Sequence, residues 1–270
     1  VIRSTLRSAA RAVLPEGLLE ARRRVRTLRR LGLPAGMASK LAWTRAGAAA
    51  MGKLPLESFP AGSFPVDVAV DVGAYDGRFS EALLAVLRPA RLYAFEPTPA
   101  SFSVLEGRLG RRTGVVIRRC AVGARTGRAR FHTYECGNGN SLHPMSPEGQ
   151  SLYTGEDHAA SRALFKETVE VEVERLDELL PARDVPEISL LKVDVQGAER
   201  GVIEGAHAAL ARTRLLMIEA LFVPHYEGAA LFPELDGLLR AAGMTLHALG
   251  PGWHGPDGRL LHADAIYRRA

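Results

Sequence analysis

The sequence predicts an α/β fold, a doubly wound and mostly parallel sheet with an antiparallel strand near the C-terminus. Three observations point there. From residue 66 onward, apolar runs of strand length alternate with stretches of helical period. The first run, VDVAVDV at 66–72, leads directly into the turn Gly73-Ala74-Tyr75-Asp76-Gly77 and then a helical stretch. Near the C-terminus, MTLHAL and LHADAIYR follow closely enough to pair as an antiparallel hairpin.

The elements follow in order. After the first strand, RFSEALLAVLR at 78–88 places Phe79, Leu83, Leu84 and Leu87 on one helical face. RLYAFE at 91–96 reads as the second strand, and Pro97 and Pro99 introduce the helix ASFSVLEGRLG. GVVIRRCAVG at 114–123 gives a third strand and a turn. These lengths suit βαβ units, whose single-handed crossovers bring successive loops to one sheet edge. Residues 128–135 and 168–174 form further strands, and the polar stretch 136–167 between them is long enough to cover a site as a loop or lid. ISLLKVD at 188–194 returns to buried-strand composition, followed by the helix QGAERGVIEGAHAAL, the strand RLLMIEA at 214–220 and a helix near 232–242.

An apolar share of 47% over 270 residues excludes a mainly disordered chain. The charge is uneven. Residues 1–60 hold 12 basic and 3 acidic side chains, a net +9, which leaves −4 on the other 210 residues of a chain whose total is +5. This divides the chain into a basic, helical N-terminal extension at 1–60 and a main domain at 61–270. The extension either lies on an anionic membrane surface or packs on the body. The acidic body, without a basic and aromatic track, argues against nucleic acid as a partner. Two cysteines, Cys120 and Cys136, are too few for a disulfide framework, and no apolar run reaches membrane-spanning length. The expected location is cytoplasmic, peripheral to the membrane if the extension binds it.

The first turn raises the question of a nucleotide. Asp71 ends the first strand and Glu96 ends the second, 25 residues on, where a carboxylate can accept bonds from both hydroxyls of a ribose. Both NAD and S-adenosylmethionine carry adenosine. The spacing Gly73 to Gly77 departs from the G-x-G-x-x-G of a pyrophosphate site, and Asp71 and Asp76 would repel a pyrophosphate. S-adenosylmethionine carries a sulfonium and an ammonium, so acidic residues favour it. Asp76 is equally suited to capping the helix that starts near Arg78.

The motifs DVGAYDGRFS at 71–80, YAFEPTPASFSVLEGRL at 93–109, CAVG at 120–123 and VEVERLDELL at 171–180 occur in this order, followed by LLKVDVQGAERGVIEGA at 190–206 and LLMIEA at 215–220. In these stretches the sequence closely resembles the FkbM family of S-adenosylmethionine-dependent methyltransferases. The resemblance covers roughly residues 64–270 and implies a class I methyltransferase-type sheet. It also implies O-methylation of a sugar, a glycan component or a natural-product hydroxyl. Two positions depart from the family pattern: Tyr75 stands where Asn is frequent, and Gln196 where an acidic residue is frequent.

On this resemblance, Asp71, Gly73 and Tyr75 border the methionine portion of the cofactor, Glu96 holds the ribose, and Pro97 fixes the turn beyond it. Ala121 and Val122 either contact adenine or pack in the core. Asp194 contacts the acceptor or the cofactor amine, or caps the following helix. Glu199 faces the same opening or stabilises that helix. Glu219, with His225 near it in sequence, takes the acceptor's proton directly or by orienting the histidine. Asn138, Asn140, Ser141 and His143 can bond a polyhydroxylated acceptor, although turns select the same residues. No compact ligand motif supports a metal. The alternatives are N-methylation, which needs a neutral amine, and a noncatalytic adenosine-binding scaffold led by the basic segment.

Overall fold

A computed structural model describes residues 16–43, 54–135, 137–152 and 164–269. The expectations for residues 1–15, for Cys136 and for the middle of the polar stretch, 153–163, lie outside the described residues.

Strands β1 (Val68–Val72), β2 (Arg91–Phe95) and β3 (Val115–Arg118) alternate with helices α3 (Arg78–Val86) and α4 (Pro99–Leu109). Later come β7 (Ile188–Val193), β8 (Thr213–Leu221), β9 (Met244–His254) and β10 (Leu260–Arg269). These strands form a seven-stranded sheet in the order β3-β2-β1-β7-β8-β10-β9. Strands β3, β2, β1, β7 and β8 pair in parallel, whereas β10 runs antiparallel to both β8 and β9. The doubly wound parallel sheet and the C-terminal antiparallel strand are therefore both present.

GVVIRRCAVG does not continue as one strand. Arg118 and Arg119 stay exposed at the sheet edge, and the chain then leaves to bury Cys120 and form β4 (Ala121–Val122). Strand β4 joins a second sheet, ordered β4-β6-β5, with β5 at Gly127–Tyr134 and β6 at Phe165–Glu174. QGAERGVIEGAHAAL likewise divides, into α7 (Glu199–Glu204) and α8 (His207–Ala211). The break falls at Gly205, where a Cβ would stand 2.0 Å from the Gly123 carbonyl oxygen, so the end of α7 packs by its backbone against the residue that follows β4. Between them in sequence lie α5 (Pro147–Leu152) and α6 (Leu176–Leu179), and α9 (Phe232–Ala241) precedes the final strands.

Strand periodicity sorts the core. Val70, Val72, Leu191, Val193 and Ile218 belong to one apolar cluster, and Ala69, Leu190, Leu215, Met217 and Ile266 belong to another. Helices α1 (Glu16–Arg30) and α2 (Ala35–Trp43), with the turn between them, contribute Leu28, Leu31 and Ala38 to the second cluster, while Arg22, Arg23, Arg26 and Arg29 remain exposed. The Arg30 guanidinium donates to the carbonyls of Leu56 and Glu57, tying α1 to the segment before β1. No described helix is long and apolar enough to cross a membrane.

Candidate active site

The loop after β1 is shaped by three residues in left-handed conformations, Gly73 (φ 79°), Tyr75 (φ 49°) and Gly77 (φ 79°). At Gly73 a Cβ would come within 1.9 Å of the Asp194 carbonyl oxygen, so only glycine lets the loop pass between β1 and β7. The amides of Gly73 and Ala74 donate to the Phe95 carbonyl, and that of Tyr75 donates to Glu96 Oε2 at 3.0 Å. Glu96 Oε1 accepts from the Thr98 amide at 3.0 Å and the Thr98 hydroxyl at 2.6 Å. Burial pushes the Glu96 carboxyl above its ordinary value, and these hydrogen bonds partly restore its charged form.

A polar row crosses the sheet near the C-terminal ends of the parallel strands. Alternation along β1, β7, β8 and β10 places Asp71, Lys192, Glu219 and Asp264 on the face that carries the second apolar cluster. Lys192 Nζ donates to the Gly73 carbonyl at 2.8 Å and lies 3.0 Å from Asp71 Oδ1 and 3.6 Å from Asp194 Oδ2. Asp71 Oδ2 accepts from the Ser80 hydroxyl at 2.6 Å. Burial works against the Lys192 charge, but Asp71 and Asp194 outweigh it and hold the ammonium above its ordinary value.

Gln196 sits in a left-handed conformation (φ 57°) and bridges two carboxylates. Its Nε2 donates to Asp194 Oδ1 and Glu219 Oε2, each at 2.8 Å, and its Oε1 accepts from the Tyr226 hydroxyl at 2.9 Å. The other oxygen of Glu219 lies 3.2 Å from His262 Nδ1. Glu199 is buried behind this group, with Oε1 accepting from the amides of Val195 and Gly197. Burial, then repulsion from Glu219, pushes its carboxyl up to about 8. Asp264 is pushed up to about 7 by burial and by Asp194 and Glu219.

These elements enclose a cavity of about 500 Å³. Gly73, Tyr75, Glu96, Pro97, Ala121, Val122, Asp194 and Glu219 all border it. Asp71 and His225 do not. Asp71 is sealed beneath the glycine loop by Lys192 and Ser80, and His225 is buried with its ring 5.6 Å from that of His262. Glu199 and His143 also lie off the cavity wall. Of the polar stretch, Gly137, Asn138 and Asn140 border the cavity. Asn140 Oδ1 accepts from the Tyr134 amide, and the Ser141 hydroxyl oxygen accepts from the His143 amide, so both side chains also shape the turn. Met145 anchors this stretch in a small apolar cluster with Tyr134, Leu221 and Tyr226.

Sequence reasoning missed Lys192, His262 and the bridging role of Gln196. Lys192 left a signal, a lone charge inside the apolar strand LLKVD, in register with Asp71 on β1. It also missed Phe131 and Leu142, which join Ala121, Val122 and Phe95 as an apolar wall. Nothing local marks Phe131, because β5 belongs to the second sheet, and Leu142 is a lone apolar residue within the polar stretch.

The cavity suits a cationic ligand carrying an apolar ring. Asp76, Glu96, Asp194 and Glu219 face it; of the two basic residues there, Lys192 is committed to Asp71 and Asp194, and Arg78 pairs with Asp76 at 2.8 Å. A pyrophosphate would meet this carboxylate wall unfavourably. Sheet order and cavity together define a class I, S-adenosylmethionine-dependent methyltransferase. The chain belongs to the FkbM methyltransferase family, whose methyltransferase FkbM domain model matches residues 71–246. It is 32% identical over 201 residues to the 31-O-demethyl-FK506 methyltransferase FkbM of Streptomyces tacrolimicus, covering 68% of this chain and 75% of that one. Identity to the 2-O-methyltransferase NoeI of Sinorhizobium fredii is 29% over 166 residues, covering 61% and 67%. Methyltransferase 1 of Beauveria bassiana is 29% identical over 208 residues, covering 75% of this chain and 80% of the relative.

Proposed function

We propose that the protein methylates a hydroxyl group of a sugar, glycan or glycosylated natural product. The observation that carries this reading is Gln196, which holds the Asp194 and Glu219 carboxylates together on the cavity wall. A hydroxyl is a weak nucleophile that gains from a proton acceptor beside it. An amine next to two carboxylates would be held as ammonium, which has no lone pair to accept a methyl group, so the same wall disfavours N-methylation. The names of two relatives, a 2-O-methyltransferase and a 31-O-demethyl-FK506 methyltransferase, agree with an oxygen acceptor.

S-adenosylmethionine supplies an electrophilic methyl group on a sulfonium leaving group. Three of the roughly four acceptor positions of Glu96 are taken by Tyr75 and Thr98, so Oε2 has one position for a ribose hydroxyl. Phe95, Ala121, Val122, Phe131 and Leu142 provide the apolar wall for adenine, and Gly73 and Tyr75 border the methionine end. Asp194 faces the cofactor amine, and Glu219 receives the acceptor's proton. Asp71 supports the site through Lys192, and His225 packs behind it; neither touches a substrate.

The test is to incubate the protein with methyl-labelled S-adenosylmethionine and a panel of glycosides, amino sugars and polyhydroxylated natural products, with mass detection. A methyl ether on a hydroxyl is expected. Label found only on amino nitrogen would overturn the assignment.

A further inference from the structure

Glu219 has two different neighbours. Oε2 meets the Gln196 amide on the cavity side, and Oε1 meets Nδ1 of His262 on β10, a strand that brings no residue to the cavity wall. A base used once per turnover must return to its charged form, and Glu219 is only 12% exposed. The His262 side chain is 21% exposed, so it reaches from this carboxylate to water. The strands hold it there: His262 pairs with Leu221 on β8 and Trp253 on β9, while Glu219 pairs with Asp264, two residues along β10. Facing His262 are Glu219 from β8, the His225 ring from the segment after β8, the Trp253 ring at 5.4 Å from β9, and Asp264 on its own strand.

From this arrangement we infer that His262 is the proton outlet of the site, carrying to solvent the proton that Glu219 takes from the acceptor hydroxyl. The inference rests on the O-methylation reading. The bonds balance: the O–H bond yields its proton to Glu219 and its electron pair to the new O–C bond, and the C–S pair stays with sulfur. Glu219 then passes the proton from Oε1 to Nδ1 of the neutral His262 tautomer that carries its proton on Nε2, the imidazolium releases its Nε2 proton to water, and proton exchange with water returns the ring to the Nε2–H tautomer, which leaves carboxylate and imidazole ready for the next acceptor. His262 is a positioning and relay residue here, since it touches neither substrate.

The test compares the wild-type protein with His262→Ala and His262→Gln, using an acceptor that gives a methyl ether. Both variants are expected to bind S-adenosylmethionine within about twofold of the wild type by calorimetry, which also reports folding. Their kcat is expected to fall about 100-fold, the scale of a lost proton-transfer group. Added imidazole should restore turnover to His262→Ala but not to His262→Gln, whose side chain fills the space. A separate readout needs no turnover: in ¹⁵N spectra, the His262 Nδ1 resonance should move on Glu219→Gln substitution. Wild-type kcat in both variants across the pH range, lost turnover without imidazole rescue, or an unmoved Nδ1 resonance would each overturn the relay. The first two results leave O-methylation standing. If no hydroxyl is methylated and amines are, the relay falls together with the proposed function.

Discussion

Lys192 Nζ and Asp71 Oδ1 stand 3.0 Å apart, and both side chains are buried under the loop that carries Gly73. Removing one partner leaves the other as an uncompensated buried charge. Lys192→Met is expected to cost about 3–5 kcal/mol in urea unfolding, and Asp71→Asn/Lys192→Met to recover part of that loss. A double variant less stable than Lys192→Met would show that the pair is not the reason for the loss.

The Glu96 carboxylate binds the Tyr75 amide on one oxygen and Thr98 on the other. Glu96→Gln turns one of these contacts into a donor facing a donor and removes the charge proposed to meet a ribose. Cofactor affinity should weaken by roughly 10- to 100-fold, the value of about 1.5–3 kcal/mol for a hydrogen bond to a charged group. Calorimetric titration with S-adenosylmethionine measures this directly, and unchanged affinity would remove Glu96 from the binding set.

Gly73→Ala combines two costs. Its φ of 79° alone costs a non-glycine residue about 1–3 kcal/mol, and the new Cβ would overlap the Asp194 carbonyl oxygen at 1.9 Å. The variant is expected to lose cofactor binding and unfold at lower denaturant, because the loop can only relieve the overlap by moving away from β7. Gly107→Ala, on the same protein, has nothing within 4 Å of the added methyl and should unfold near wild type.

Glu199 gives a pH dependence of known sign. Its carboxyl is pushed up to about 8, so between about pH 4.5 and 8 the unfolded chain has released a proton that the folded chain retains. Stability from this group is therefore complete below that window, falls as pH rises through it, and is level above it. Glu199→Gln cannot titrate, so thermal melts at pH 5 and pH 9 should show the variant gaining on the wild type at the higher pH. Some slope should remain, because Asp264, pushed up to about 7, loses its stabilising proton over a similar range.

The succession of strands along the chain was legible because three of the five parallel strands, β1, β2 and β7, carry a carboxylate at their C-terminal end just before a glycine or proline turn: Asp71 before Gly73, Glu96 before Pro97, Asp194 before Gly197. Glu96 and Asp194 border the cavity, so the part of it proposed to hold the cofactor was within reach of sequence reasoning. The acceptor side was harder to read. Glu219 was visible as a strand-end carboxylate, but His262 on β10, 3.2 Å from it, was not, since antiparallel pairing sets residues far apart in sequence side by side. Gln196 read only as a departure from the family pattern, and an amide is no base, yet an amide is the group that can hold two carboxylates at once. The split of GVVIRRCAVG between two sheets left no trace in periodicity, because two residues of β4 are too few to show one.

Helix α1 has turned Leu28 and Val25 into the cluster beneath β1, while Arg22, Arg23, Arg26 and Arg29 face outward. Among its described side chains it therefore has no greasy face left to sink among lipid tails without being torn from the body. Any hold that this described helix takes on an anionic surface must be a matter of counter-charge alone, felt over about 8 Å in physiological salt. Such a grip loosens as ionic strength rises, the behaviour of a visitor to a surface and not of an anchor in it.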